Sequence, residues 1–83
     1  KMEKKTVKYH IPQHGIYMYA RTNSGKTELI VLNSTNAEQV VANNHYRIMT
    51  NDSKSGKELI SGKKIDLTKN MTVGARQSLI IEL

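Results

Sequence analysis

Gly15-Ile16-Tyr17-Met18-Tyr19-Ala20-Arg21 and Leu29-Ile30-Val31-Leu32-Asn33 lie on either side of a polar stretch, Asn23-Ser24-Gly25-Lys26. Two runs of β-branched, aromatic and aliphatic residues around a Gly/Asn/Ser turn predict a β-hairpin. A sheet with one wet face should alternate apolar and polar residues. Here neither run alternates cleanly, and both faces of both strands are mostly apolar. One face can enter the domain's own core. The other needs a second cover, and 83 residues hold little chain with which to make it.

Tyr17, Tyr19 and Arg21 alternate, so they share one face of the first hairpin strand. Tyr and Arg are enriched at the centres of protein interfaces. Three readings follow from these residues. They form a docking face for another domain, a platform on which sugars stack, or one layer of the domain's core with Arg21 at its rim.

Outward from the hairpin, turn signals recur every few residues. A first strand over Val7–Ile11 is expected to stop at Pro12. The hairpin strands are expected over Ile16–Thr22 and Thr27–Asn33, and a fourth over Ala37–Ala42. Asn43–Ser55 is rich in Asn and Ser around a Tyr46, Ile48 and Met49 cluster, and fits either one helical turn or an irregular strand. Further short strands are expected over Lys57–Ser61, Lys64–Leu67, Met71–Val73 and Gln77–Leu83. Ser-Gly-Lys occurs at 24–26, 55–57 and 61–63, and each instance reads as turn chemistry. No segment keeps a 3.6-residue apolar period. The pattern predicts an all-β fold, an antiparallel β-sandwich or small barrel of seven to eight short strands.

The length allows one domain, and a chain this short buries only about 60–65% of its unfolded surface. Residues 1–5 read as a basic tail or linker remnant and residues 6–83 as a single β domain. The start at Lys1 fits a processed protein or an excised fragment. With no cysteine, thiol catalysis and thiolate metal sites are excluded, and disulfides cannot help stability. No run approaches the roughly 20 apolar residues of a membrane helix. The net charge of +6 is concentrated at Lys1, Lys4, Lys5 and Lys8. A basic β domain raises nucleic-acid binding as an alternative. Readers of single strands add stacking aromatics to a basic groove, and this chain has four Tyr, no Phe and no Trp.

Motifs for chemistry are weak. Ser24-Gly25-Lys26-Thr27 resembles the end of a phosphate-binding loop, but the required first glycine is Ala20 and a strand, not a helix, follows. His10 and His14 are separated by Pro12, which forbids the helix that would put them on one face. The seven carboxylates are scattered singly, so no acid–base pair is nominated. Asn33-Ser34-Thr35, Asn51-Asp52-Ser53 and Asn70-Met71-Thr72 match the glycosylation sequon, which matters only in a eukaryotic secretory pathway.

Taken together, the spacing is similar to that of a known family. Tyr9-His10-Ile11-Pro12, the two hairpin runs, Gly56-Lys57-Glu58-Leu59-Ile60-Ser61-Gly62-Lys63-Lys64-Ile65-Asp66-Leu67 and Ala75-Arg76-Gln77-Ser78-Leu79-Ile80-Ile81-Glu82-Leu83 resemble the carboxy-terminal domain of cyclomaltodextrinase and neopullulanase type enzymes, of the α-amylase family. The resemblance covers about Thr6 to Leu83. Two departures stand out: Ala20, where the family usually has an aromatic, and a short 43–53 segment without the longer helical stretch of many members.

The resemblance implies an antiparallel β-sandwich at the end of an α-glucan-degrading glycoside hydrolase. The catalytic carboxylates would lie in a preceding (β/α) barrel, so no catalytic, metal or cofactor-binding residue carries over to this chain and no cofactor is implied. The expected partner is that barrel, with α-glucan met only indirectly and neither nucleic acid nor membrane involved. Tyr17, Tyr19 and Arg21 become the candidate docking groups. Leu83 would be the natural end of the parent protein. A stand-alone carbohydrate-binding sandwich remains the second alternative.

Overall fold

In the computed structural model, residues 5–83 are described, with side chains from Val7 onward. The basic tail expected over residues 1–5 lies outside the described residues, except for Lys5, which opens the first strand. The strands are β1 (Lys5–Gln13), β2 (Ile16–Asn23), β3 (Lys26–Asn33), β4 (Gln39–Val41), β5 (Ser55–Glu58), β6 (Lys64–Asp66), β7 (Met71–Val73) and β8 (Ser78–Glu82). One short helix, α1 (Asn43–Tyr46), and a 3-10 turn over Arg47–Met49 separate β4 from β5. The strands form an antiparallel six-stranded sheet in the order β1-β2-β3-β8-β5-β6 and a two-stranded sheet, β4-β7. The fold is the all-β sandwich that the turn spacing predicts.

The core lies between the two sheets. From the large sheet come Ile16, Met18, Ala20, Leu29, Val31, Leu79 and Ile81. Val41, Met71 and Val73 face them from the small sheet, and Tyr46 and Met49 close the layer from the helical segment. That segment takes the helical option left open by the sequence. It buries Tyr46 and Met49 and leaves Ile48 outside, and the Tyr46 hydroxyl donates to the Lys69 carbonyl.

Turn chemistry fixes the strand register. Ser24 and Gly25 both take positive φ, 55° and 82°, between the paired Asn23 and Lys26. This is a two-residue type I′ turn, whose twist matches that of the flanking strands. Gly15 (φ 80°) turns β1 into β2, and a Cβ there would clash with Thr35 Cγ2.

Four sequence expectations need correction. Pro12 does not stop the first strand; β1 runs to Gln13, with a register irregularity between His10 and Gln13. Proline is tolerated there because β1 is an edge strand and the ladder is already broken. The fourth strand is three residues, not Ala37–Ala42, because Ala37 gives its carbonyl to a side chain of β3. The expected Lys57–Ser61 strand ends at Glu58, whose own carboxylate binds the N–H groups of Ile60 and Ser61 and turns the chain. Ser55-Gly56-Lys57 is strand, not turn: Gly56 is needed because a Cβ would lie 2.5 Å from Ile81 Cγ2.

Asn33 joins the two sheets. It is fully buried. Its Nδ2 donates to the carbonyls of Ala37 (2.8 Å), Val73 (3.1 Å) and Gly74 (3.0 Å). Its Oδ1 accepts from the Thr35 N–H (2.9 Å) and hydroxyl (2.7 Å). The sequon at Asn33 is therefore closed to any modifying enzyme in the folded state. Asn33→Ala should lower the unfolding free energy by about 2–3 kcal/mol, because buried carbonyls lose their donors. Asn33→Asp should cost at least as much, since a carboxylate would face three carbonyl oxygens. Urea unfolding measures both, and an unchanged midpoint would remove Asn33 from this role.

Candidate functional site

Residues directly opposite one another across an antiparallel sheet share a face. On the large sheet the inner side is core, so the register also defines the outer side. Tyr9 pairs with Tyr19, Tyr19 with Ile30 and Ile30 with Ile80, and the Ile80 carbonyl accepts the Leu59 N–H. This makes an apolar row across four strands and into the turn after β5. A second row, Tyr17 and Leu32, runs beside it. Tyr9, His10, Ile11, Tyr17, Met18, Tyr19, Ile30 and Leu32 line one apolar groove.

The face is open. Tyr9 is 77% exposed, Ile11 60%, Tyr17 47% and Leu32 39%. Tyr9 and Tyr19 stack with ring centroids 5.1 Å apart and planes tilted by 50°. At the border of the face, Arg21 places Nε (2.9 Å) and Nη2 (2.8 Å) on Glu28 Oε1.

Tyr17, Tyr19 and Arg21 are thus together on the outer face, and the core-layer reading of them is set aside. Sequence reasoning missed the contribution of β1. Val7, Tyr9 and Ile11 alternate as clearly as Tyr17 and Tyr19 do, but only the register shows that the two strands add to one surface. It also did not single out Ile30, Leu32 and Ile80, because nothing in runs of four and three apolar residues, Leu29–Leu32 and Leu79–Ile81, marks the outward ones.

The remaining candidates are structural. His10 Nε2 lies 2.8 Å from the His45 carbonyl oxygen and fastens β1 to the helical segment. His14 sits exposed in the β1–β2 turn. Among the described residues, no three His, Cys, Asp or Glu stand together as a metal-binding group. Ser24-Gly25-Lys26-Thr27 is the hairpin turn.

The chain matches the model of the family "Cyclo-malto-dextrinase C-terminal domain" over residues 7–82. The chain belongs to this family. The match confirms the resemblance drawn from the sequence and makes the chain a C-terminal domain of the kind carried by glycoside hydrolases. Among solved structures it is similar to β-galactosidase from Bacillus circulans sp. alkalophilus, with 24% identity and a TM-score of 0.63. The alignment covers 82% of this chain and 9% of that enzyme, and the likeness is one of fold. A comparison with curated proteins finds no match.

In this cyclo-malto-dextrinase C-terminal domain, Ala20 is buried on the inner face against the core, so its small size is a matter of packing beneath the sheet. One carboxylate has a strongly displaced pKa, which is often a sign of function. Glu58 is buried and accepts from the N–H groups of Ile80 (3.0 Å), Ser61 (2.7 Å) and Ile60 (3.2 Å). The Ile80 bond leads in holding its pKa down from 4.5 to about 2, against the opposing effect of burial. All three donors are backbone, so the charge is spent on closing the β5–β6 turn and tying it to β8.

The linkage has a definite sign. The folded pKa lies below the unfolded one, so the folded state binds fewer protons. The stabilisation is complete above about pH 5 and is lost as pH falls toward 2. Urea midpoints measured between pH 7 and pH 2.5 should fall steeply for the parent chain. Glu58→Gln should be less stable at pH 7 and show a shallower fall; an unaltered slope would show that Glu58 does not carry the acid sensitivity.

Proposed function

We propose that this chain is the non-catalytic C-terminal domain of an α-glucan-degrading glycoside hydrolase of the cyclomaltodextrinase or neopullulanase type. Its work is to pack on the catalytic (β/α) barrel of that enzyme and stabilise it. The single 6–83 domain docks through the outer face of its large sheet, with Tyr17, Tyr19 and Arg21 among the contacts. The observation that carries this reading is the open apolar face of β1, β2 and β3. Tyr9, Ile11, Tyr17 and Leu32 are held in the sheet by the backbone, yet each leaves a large share of its side chain in water. Covering the rest would contribute about 1 kcal/mol per side chain. Contacts between domains commonly span roughly 600–1,500 Å², a size that a face of this kind suits.

Two features favour docking over the alternatives. A sugar platform of several rings needs them in one plane, and Tyr9 and Tyr19 are tilted against each other by 50°. A nucleic-acid groove is of one sign, whereas this face carries Glu28 and Glu82 among its cations.

Leu32→Asp and Tyr17→Ser, introduced separately into the full-length enzyme, test the proposal. Each should lower the stability of the enzyme by about 1–2 kcal/mol more than it lowers that of the 83-residue chain, as read by calorimetry. If the enzyme's unfolding is indifferent to both, the face is not a docking surface.

A further inference from the structure

The first strand has its polarity reversed. In β2 and β3 the apolar residues Ile16, Met18, Ala20, Leu29 and Val31 point into the core. Lys8 and His10 of β1 are register partners of Ala20 and Met18, so they take the core side of the sheet. Val7 and Tyr9 are partners of Arg21 and Tyr19 and take the open side. Val7 is 47% exposed, Tyr9 77% and Ile11 60%. β1 is the longest strand, at nine residues, yet none of residues 7–13 is buried. As an edge strand it has a ladder on one side only. Among the described residues, three side-chain hydrogen bonds tie it to the body. His10 Nε2 meets the His45 carbonyl oxygen (2.8 Å), Gln13 Nε2 donates to Gln39 Oε1 (2.7 Å), and Lys8 Nζ donates to Asn51 Oδ1 at 3.4 Å. Behind β1 the chain is pinned. The Gly15 carbonyl accepts from both the N–H (2.8 Å) and the hydroxyl (2.9 Å) of Ser34.

We infer that β1 is a separately opening unit of this domain, hinged at Gly15, and that the domain covering the apolar rows closes it. The occupant is the catalytic barrel of the same enzyme, so the inference rests on the docking reading and adds that docking and the ordering of β1 are one event. Burial decides it. Local openings involve the elements with the fewest buried apolar contacts, and β1 leaves the sheet without drawing any side chain of its own out of the core. The body keeps its shape without it: Ile16, Met18 and Ala20 hold β2 in the core, and the ladder from β2 to β3 is untouched. The hydrogen bonds that oppose opening are exchanged for bonds to water at small net loss. A cover on the outer face reverses the balance. Val7, Tyr9 and Ile11 then leave water, and the strand gains on its outer side the apolar burial that its inner side lacks.

Native-state hydrogen exchange, followed in the 83-residue chain and in the full-length enzyme, is the test. In the chain, the amides of residues 7–11 that bond to β2 should exchange at least about 100-fold faster than those of β3 and β8. Their rates should be nearly insensitive to urea below the unfolding transition, because a local opening exposes little surface. In the enzyme the same amides should slow by at least about tenfold. Ile11→Ser in the enzyme should undo most of that slowing and leave exchange in β3 unchanged. If β1 and β3 exchange together in the chain, at the rate of global unfolding, β1 is part of one cooperative body and the inference is overturned, with docking untouched. If β1 is fast in both contexts, its closure by a partner is wrong. Leu32→Asp in the enzyme then separates the two ideas. A loss of stability keeps docking on β2 and β3 with β1 left uncovered, and no loss means that docking itself has failed. Slowing of β1 with rising concentration of the chain would put a second copy on the face and overturn the assignment to the barrel.

Discussion

The amide of Asn33 is a fully buried polar group, and its two N–H bonds are shared among three carbonyls drawn from two places. Ala37 belongs to the loop leaving β3, and Val73 and Gly74 to the end of β7. The large sheet and the small one share no strand, so their relative position depends on packing and on junctions of this kind. Apolar packing alone is tolerant of sliding, because burial is proportional to area and has little direction. The amide is directional and cannot be turned over: its oxygen would then face three other oxygens. It thus sets the height of β4 and β7 over the core, and with it the faces that Val41, Met71 and Val73 present.

That arrangement uses the second layer up. The small sheet and the helical turn between them cover one face of the six-stranded sheet, and among the described residues no further element covers the other. The two faces of the β2–β3 hairpin then differ sharply in surroundings although they are similar in composition. Ile16, Met18, Leu29 and Val31 are sealed, while Tyr17 and Leu32 remain half in water. Tyrosine suits the second position, since its ring can be covered while its hydroxyl finds a polar partner.

The sequence made the class of fold legible because turn residues are local. Ser24-Gly25 reads as a hairpin turn because long apolar runs flank it on both sides, and the type I′ geometry then fixes the hairpin register. Local chemistry also explains the misreadings. Glu58 acts on N–H groups two and three residues away as well as on Ile80, far along the chain. Nothing in Lys57–Ser61 shows that its carboxylate will end the strand. Gly56 looks like a turn former until Ile81 is seen against it. The candidate face was half legible. Alternation gave Tyr17, Tyr19 and Arg21 one side of a strand, but which side is outer depends on β4 and β7, whose places are decided by contacts some forty positions distant.

The charged border shows why an accessory domain can tolerate arrangements that an independent one would lose. Glu28 and Glu82 facing each other, and Lys57 facing Lys64, both work against the sheet. In a domain of 83 residues, with total stability of about 5–15 kcal/mol at most, such pairs are a measurable burden. In the docking proposed above, the surplus apolar surface of the hairpin would supply the strength of the contact.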